Sequence, residues 1–166
     1  MKPFELLTHA ELNGFPRDRT VVILPVSPLE EHGVHLPLGT DALIAFECAQ
    51  EFVRRAKLAK PDWEFVVLPI FYAGSNTQIY LGSVEVDPQV IRSYVAATCG
   101  HFAKQGFKKI ALFSAHGGAS HVRALTEEAI HLDKHLRPCQ VKFANAKGIP
   151  NWLPPRLNDE FADFQE

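Results

Sequence analysis

Short apolar runs alternate with helical periodicities along most of this chain. A continuous run rich in β-branched residues, typical of a strand buried on both faces of a parallel sheet, occupies 21–26, and further strands are predicted at 65–70, 109–113 and 140–144. Apolar residues spaced by three and four predict helices from Asp41 to Lys57, from Pro88 to the stop at Gly106, and from Ser120 to Leu136. The alternation predicts one α/β domain over 1–150, a three-layer α/β/α arrangement of Rossmann-like topology with a mostly parallel sheet.

The pattern stops after about residue 150, and 151–166 reads as an irregular tail rich in proline and acidic residues. Two helix starts carry their own signals. Asp87 followed by Pro88 is typical of an N-cap with proline in the first helical position, and Ser120 is placed to cap the next helix.

The composition is ordinary for a soluble globular protein. Hydrophobic residues make up 46% of the chain, charged residues 22%, and the formal net charge is −2, so nothing favours nucleic acid or an anionic membrane as the partner. Three widely spaced cysteines, Cys48, Cys99 and Cys139, indicate reduced thiols in a cytosolic protein. The N-terminus lacks a signal-peptide core, and no apolar run approaches the roughly 20 residues of a membrane span. We therefore expect a cytoplasmic protein.

Ligand-type side chains gather in two turns, each directly after an apolar strand. The first turn carries Glu30, His32 and Asp41, and the second carries His116. In an open α/β sheet, ligands bind beyond the carboxyl ends of the strands, so the two turns can form one site if their strands are neighbours. The sequence alone does not establish that adjacency.

Two imidazoles and two carboxylates form a mixed nitrogen and oxygen ligand set. Such a set suits zinc, and also manganese or iron, and the absence of thiolate ligands argues against a closed structural zinc site. Because a chain of 166 residues can bury a core without a metal, we expect any bound ion to be functional. The set suits the activation of water by a metal.

Other interpretations remain open for several of these residues. Asp41 could simply cap the helix that it opens, and Glu30 and Glu31 could be solvated loop charges. His35 is interpreted as a residue that packs behind the ligands. The remaining histidines are expected to be surface or half-buried positions on helices: His9, His101, His121, His131 and His135.

Two further chemistries are weak or rejected. Gly117 and Gly118 before a helix could cradle a phosphate, but the lysine and the glycine spacing of a P-loop are absent. Ser114 does not fit a serine-hydrolase elbow, which needs glycine two residues to either side of the nucleophile, where Leu112 and His116 stand.

Three segments resemble the creatininase (creatinine amidohydrolase) family. LPVSPLEEHGVHLPLGTD is similar to its signature, FYAGSNTQIYLGSV to its middle Gly-Ser…Gly-Thr segment, and FSAHGGAS to its His-Gly-Gly-Asn turn. The resemblance implies a doubly wound α/β fold and a metal-dependent amidohydrolase that cleaves a C–N bond of a small cyclic or linear amide. It also implies one or two divalent ions, zinc or manganese or alternatively iron, and a homo-oligomer.

Carried over residue by residue, the resemblance implies roles for the ligand-type residues. Glu30 and His116 would bind one metal, His32 the other, and Asp41 would bridge the two, so that these four residues act through activated water. Residues that the resemblance places around the ligands, or against substrate, are Gly33, His35, Ser75, Gln78 and Gly117.

The chain departs from the family pattern at three places. Thr77 and Gln78 stand where a Glu-His pair is common, and Ala119 replaces the asparagine that ends the third motif. A later segment that supplies a metal-binding glutamate is missing, and creatininase's own substitute glutamate corresponds to Gly118. We therefore expect a weak second metal position, for which the tail carboxylates Asp159, Glu160 and Asp163, or a neighbouring subunit, are candidate sources. The alternative function is a catalytically impaired, truncated paralogue that acts as a binding or assembly subunit.

Overall fold

The computed structural model describes residues 2–144 as five strands and four α-helices with a short 3₁₀ turn at Phe4–Leu6. The strands are β1 (Thr20–Ser27), β2 (Glu64–Val67), β3 (Phe71–Tyr72), β4 (Lys109–Phe113) and β5 (Gln140–Ala144). The helices are α1 (His9–Asn13), α2 (Thr40–Ala59), α3 (Pro88–Lys104) and α4 (Ala119–His135). The predicted tail over 151–166, with Asp159, Glu160 and Asp163, lies outside the described residues.

The strands form a parallel sheet in the order β2-β1-β4-β5, and β3 pairs with the last residues of β1. β1 and β4 are therefore neighbours, with Pro25 opposite Phe113 near their carboxyl ends. This adjacency was the condition for the two ligand-bearing turns to form one site. The second predicted strand is shorter than expected, since pairing stops at Pro69, which has no N–H to donate, and resumes at Phe71.

Alternate residues of β1 face two separate hydrophobic layers. Val22 and Leu24 pack with side chains of α3 and α4, whereas Val21 and Ile23 pack with Phe52 and its neighbours on α2. Helices thus cover both faces of the sheet, and every residue of β1 is buried. The predicted three-layer α/β/α fold is confirmed.

The first residues of α2, α3 and α4 determine the hydrogen-bond partners and placement of several polar side chains. The Asp87 carboxylate accepts the Gln89 N–H, as predicted for the start of α3. The prediction that Ser120 caps α4 is wrong, because α4 begins one residue earlier and the Ser120 hydroxyl instead donates to Ser75 Oγ. α2 begins at Thr40, so Asp41 lies inside its first turn and does not cap it, which leaves its carboxylate free to face the sheet edge.

Among the described residues, none of the helices has the length and apolar character that crossing a bilayer requires.

Candidate metal centre

The turns after β1 and β4 bring the four predicted ligand residues together at the carboxyl edge of the sheet. Glu30 and Asp41 are 5% and 7% exposed and His116 is 7% exposed, while His32 is half-buried at the rim. Glu30 and His32 come from the β1 turn, Asp41 from the first turn of α2, and His116 from the β4 turn. The cluster therefore joins residues of the segment 30–41 to His116, which lies 75 residues beyond Asp41 in sequence.

His116 has one nitrogen committed to the backbone and the other facing carboxylates. Its Nε2 lies 3.1 Å from the Ser75 carbonyl oxygen, which can only accept a hydrogen bond, so the proton of the neutral ring resides on Nε2. The Nδ1 lone pair then points at Asp41 Oδ2, 2.9 Å away, and at Glu30 Oε2, 3.1 Å away. A bare nitrogen among carboxylate oxygens is repulsive unless a cation or a proton lies between them.

His32 repeats the same arrangement with the two nitrogens exchanged. Its Nδ1 donates to the Glu30 carbonyl oxygen at 3.0 Å, and its Nε2 lies 3.2 Å from Asp41 Oδ1. Backbone carbonyls that fix the tautomer of a histidine are a common support for metal ligands. Asp41 consequently places one oxygen against each ring, as a bridging carboxylate would.

The site fits a divalent cation on this geometry. Ligand atoms of Glu30, His32 and Asp41 all lie within 4.8 Å of one another, and His116 Nδ1 adjoins both carboxylates from the other side. Nitrogen and oxygen donors without thiolate suit zinc or manganese. That these residues bind metal stays a prediction.

The pKa values of both imidazoles are raised by the neighbouring carboxylates and carbonyls. For His32, the Glu30 carbonyl raises the pKa most, burial lowers it, and the charges of Asp41 and Glu30 complete a net rise. For His116, burial lowers the pKa, but the hydrogen bonds with Asp41 and Ser75 and the charges of Asp41 and Glu30 together raise it. The same carboxylates that raise the two histidine pKa values would also attract a bound cation.

A neighbouring loop, residues 75–85, holds Glu30 in position. The Gln78 backbone N–H donates to Glu30 Oε1 at 2.5 Å, so Gln78 contributes through its main chain, while its side chain is exposed. The Glu85 carboxylate in turn accepts the backbone N–H groups of Asn76 and Thr77, each at 2.8 Å, together with the Thr77 hydroxyl. Burial raises the pKa of Glu85, but these donors outweigh it and lower the pKa overall.

The β4 turn is supported from the protein interior. Ser27 Oγ and Ser114 Oγ lie 3.1 Å apart and accept the backbone N–H groups of Ala115 and His116 at 3.3 and 3.2 Å. Ser114 Oγ also lies 2.9 Å from His121 Nε2. The expectation of a surface or half-buried His121 is wrong, because its ring is fully buried on the inner face of α4. Burial, and then the neighbouring His116, lower the pKa of His121 to about 4.

The two glycines after His116 differ in what they require. A Cβ on Gly118 would lie 2.4 Å from His116 Nε2 and 2.6 Å from the Ser75 carbonyl oxygen, so only glycine fits there without a shift. A Cβ on Gly117, which the resemblance singled out, would meet no other atom of the described residues within 4 Å. Gly118 is therefore the glycine that permits the His116 to Ser75 contact.

His35 does not join the ligand set. Its side chain is exposed, and its ring lies over Gly33, with Cε1 3.7 Å from where a Cβ on Gly33 would stand. Gly33 itself has a φ of +83°, a conformation that favours glycine, so it shapes the loop as expected.

Sequence reasoning missed the residues that support the ligands rather than form them. Ser27, Glu85 and His121 hold the two turns. Ser27 lies within the first family-like segment but is not a ligand-type residue, and the other two lie just beyond the quoted segments. A signal for His121 existed, because it lies four residues before Leu125 and eleven before Leu132, on the buried face of α4. Ser27 and Glu85 carry no such periodic signal.

Comparison with characterised proteins finds relatives that are named as a peptidase and a hydrolase. The mycofactocin precursor peptide peptidase of Mycobacterium tuberculosis (strain CDC 1551 / Oshkosh) is 25% identical over 125 residues, covering 72% of this chain and 49% of the relative. The 3-dehydro-scyllo-inosose hydrolase of Thermotoga maritima is 24% identical over 116 residues, covering 69% of this chain and 35% of that protein. The chain thus spans half or less of the length of these relatives.

Solved structures share the fold, and a family model covers most of the chain. A mutant creatininase of the Zn–Zn type matches with a TM-score of 0.70 at 19% identity, over 88% of this chain and 59% of that chain. A creatininase with Mn matches with a TM-score of 0.65 at 19% identity, over 87% and 58%. The model of the creatininase family, creatinine amidohydrolase, matches residues 5–163. The chain therefore belongs to the creatininase family.

Proposed function

We propose that this protein is a metal-dependent hydrolase that cleaves a C–N bond of a small linear or cyclic amide. One observation carries the proposal. Two imidazoles each donate their proton to a backbone carbonyl and turn the other nitrogen toward the same carboxylate, Asp41. Such a pair of bare nitrogens around a bridging carboxylate has a physical purpose when cations are bound there.

Glu30, His32, Asp41 and His116 would hold one or two ions, zinc or manganese, with iron as a chemically acceptable alternative. Glu30 and His116 would hold an ion at an inner position on the buried side of the cluster, His32 would hold one at the rim, and Asp41, which places one oxygen near each imidazole, could contribute to both. When bound, such an ion activates water and polarises the carbonyl oxygen of the scissile bond. The zinc and manganese forms of the structural neighbours support this choice of metal.

The chain's own residues orient and shield this chemistry. The Ser75 and Glu30 carbonyls fix which nitrogen of each ring is available, and the Gln78 N–H fixes one oxygen of Glu30. Burial of Glu30, Asp41 and His116 excludes bulk water from the inner position, which strengthens every electrostatic contact there. Half-buried His32 leaves the outer side open to a substrate.

We also propose that the protein is cytoplasmic and self-associates. Its cysteines are free, as expected in a reducing compartment. Val34, Ile79 and Leu81 are almost wholly exposed on the two loops beside the site, and exposed apolar groups of this kind favour association. Light scattering after size-exclusion chromatography checks this, and a strictly monomeric species at micromolar concentration would contradict it.

The test of the proposed function combines metal analysis with hydrolysis. Wild-type protein purified and dialysed against zinc or manganese should retain at least one ion per chain, and His116→Ala should retain markedly less. The loaded wild type should hydrolyse at least one member of a panel of cyclic amides, N-formyl compounds and short peptides above the metal-free control. Equal and near-zero metal in both proteins would end this proposal.

The alternative is a binding or assembly subunit without catalysis. It is favoured by Gly118, where a glutamate side chain has no room beside His116, and by Glu85, whose oxygens are already occupied by three donors. Among the described residues, these two positions offer no further carboxylate to strengthen a second ion. Metal retention without turnover of any panel member would favour this function over hydrolysis.

A further inference from the structure

Three polar side chains, the buried Ser27 and His121 and the half-buried Ser114, form a hydrogen-bonded group at the turn that carries His116. Ser114 Oγ is its centre, at 3.1 Å from Ser27 Oγ, 2.9 Å from His121 Nε2, and 3.2 Å from the His116 backbone nitrogen. The rings of His116 and His121 also contact edge to face, with centroids 5.1 Å apart. The ligand turn is thus held at the His116 backbone by Ser114 and at the His116 ring by His121.

His121 is an unfavourable residue for this location unless the contact with Ser114 has a use. Its ring is fully buried, and its Nδ1 has no hydrogen-bond partner in the part of the chain that the structure describes. A buried nitrogen without a partner costs stability, and an aliphatic side chain would avoid that cost. Besides an interaction with the Val26 backbone, the ring makes its hydrogen bond with Ser114, at the base of the ligand turn.

The direction of the hydrogen bonds explains why Ser114 needs a second partner. The backbone N–H groups of Ala115 and His116 must donate, so the two serine oxygens act as acceptors toward the turn. The hydroxyl groups of Ser27 and Ser114 can bond each other in one direction only, which leaves one further bond of Ser114 for His121 Nε2. Without the ring, the Ser114 hydroxyl can rotate, and the His116 N–H loses a fixed acceptor.

We propose that His121, acting through Ser114, is a positioning residue that sets the orientation of His116 for metal binding. This inference rests on the proposed function, since it assigns a purpose to the placement of a metal ligand. Replacing a purely structural histidine would lower stability and metal affinity together. Removal of the ring should leave the fold as stable as before, or more stable, while it weakens the binding of metal.

The experiment compares His121→Leu, His121→Gln and Ser114→Ala with the wild type, by Zn²⁺ calorimetry, Co²⁺ absorption spectra and thermal unfolding of the metal-free proteins. Loss of a group that supports a metal ligand typically lowers affinity about 10- to 100-fold. We expect about a 10-fold or greater loss of Zn²⁺ affinity and an altered Co²⁺ spectrum in His121→Leu and Ser114→Ala, with no fall in the melting temperature of His121→Leu. His121→Gln should recover part of the affinity, since its amide can reach Ser114.

Thr20→Val is the matched control, because Thr20 is equally buried at the opposite end of β1 and its hydroxyl donates to the Pro16 carbonyl. It should lower the melting temperature and leave Zn²⁺ affinity unchanged. Wild-type Zn²⁺ affinity in His121→Leu and Ser114→Ala would overturn the positioning role. The role would also be overturned if His121→Leu were destabilised and its Zn²⁺ affinity fell no more than that of an equally destabilised control variant. Absence of metal binding by the wild type would instead count against the proposed function itself.

Discussion

The two ligand-bearing turns are built in opposite ways. The β4 turn is short, and hydroxyl and imidazole groups from the protein interior hold it from beneath. The β1 turn is long, and its residues 33–38 are exposed. Another surface loop holds it, since the Gln78 N–H donates to Glu30 and the Glu31 N–H donates to the Ser83 hydroxyl oxygen. His116 is thus fixed both by the core and by the Ser75 carbonyl, whereas Glu30 and His32 depend on loops alone.

This difference indicates where change is tolerated. Groups that hold the β4 turn lie against the packed interior, so altering one that packs tightly there, such as Gly118, affects folding and the site together. His121 is the exception, because its Nδ1 lacks a partner among the described residues and its loss should weaken metal binding without lowering stability.

The loop of residues 75–85 contacts the β1 turn through Gln78 and Ser83 and the β4 turn through Ser75 and Asn76. Altering its exposed part should therefore affect the site more than the core. Exposed loops that hold binding residues on a rigid scaffold are where related proteins usually diverge in specificity.

Asp41 joins the two turns, so its loss should have the largest effect. Asp41→Asn removes the negative charge that faces both His32 Nε2 and His116 Nδ1. We expect Zn²⁺ affinity to fall by roughly 1,000-fold, about 4 kcal/mol, more than loss of a supporting group costs. Calorimetry measures it, with Asp62→Asn, an exposed position that contacts Arg19, as the control. An affinity within 10-fold of the wild type would show that Asp41 does not unite the turns.

The interior support predicts a specific sensitivity to acid. The pKa of His121 is lowered from 6.5 to about 4 in the folded protein, so the unfolded chain takes up this proton first as the pH falls. Stability from this group is present above about pH 6.5 and is lost toward pH 4, by up to about 3 kcal/mol. Metal-free wild type should therefore lose that much more free energy of unfolding over this range than His121→Leu. Parallel pH profiles of the two proteins would contradict the buried, neutral ring.

Gly118 tests the tight packing of the β4 turn. Gly118→Ala places a Cβ against His116 Nε2 and the Ser75 carbonyl, so we expect a loss of about 1 to 3 kcal/mol in unfolding free energy and weaker Zn²⁺ binding. Gly117→Ala, where a Cβ has open space within the described residues, is the matched control and should change little. Equal behaviour of the two variants in denaturant titrations would remove the argument for a required glycine.

Glu85 tests the loop that holds the β1 turn, with the smallest expected effect. Glu85→Gln removes the charge that accepts the Asn76 and Thr77 N–H groups, which loosens the loop carrying Gln78. We expect Zn²⁺ affinity to fall about 3- to 10-fold, toward the low end for supporting groups, with stability changed by less than about 0.5 kcal/mol. Glu51→Gln on α2, whose carboxylate bonds Arg54, is the control. A loss of stability as large as in Gly118→Ala would show that the loop is not independent of the core.

The sequence was most informative where one physical pattern dominates. The alternation of strand and helix patterns predicted β4 and β5 with the observed bounds, and ligand-type residues after β1 and β4 predicted which four side chains lie together. Strand order could not be predicted, because neighbours in a parallel sheet depend on crossover connections rather than on local pattern. The starting residue of α4 was misplaced, because the Ser120 hydroxyl pairs with Ser75, a partner that is distant in sequence.

The supporting residues were beyond prediction for the same reason. Glu85 acts through backbone N–H groups of Asn76 and Thr77, which have no signature in the sequence. His121 was missed because a histidine on a helix is usually at the surface, although its phase with Leu125 indicated the buried face. The ligands could be predicted from their residue types. The groups that orient them can be identified only from their contacts in the three-dimensional structure.

The central claim is that each imidazole keeps its proton on the carbonyl-facing nitrogen and offers the other to a cation. Nitrogen-15 NMR of the histidine side chains during Zn²⁺ titration tests it most directly, with His32→Ala and His116→Ala used for assignment. We predict that the resonances of His116 Nδ1 and His32 Nε2 shift as metal nitrogens, while His116 Nε2 and His32 Nδ1 stay protonated. Unchanged resonances at saturating Zn²⁺, or metal shifts on the opposite nitrogens, would contradict the account.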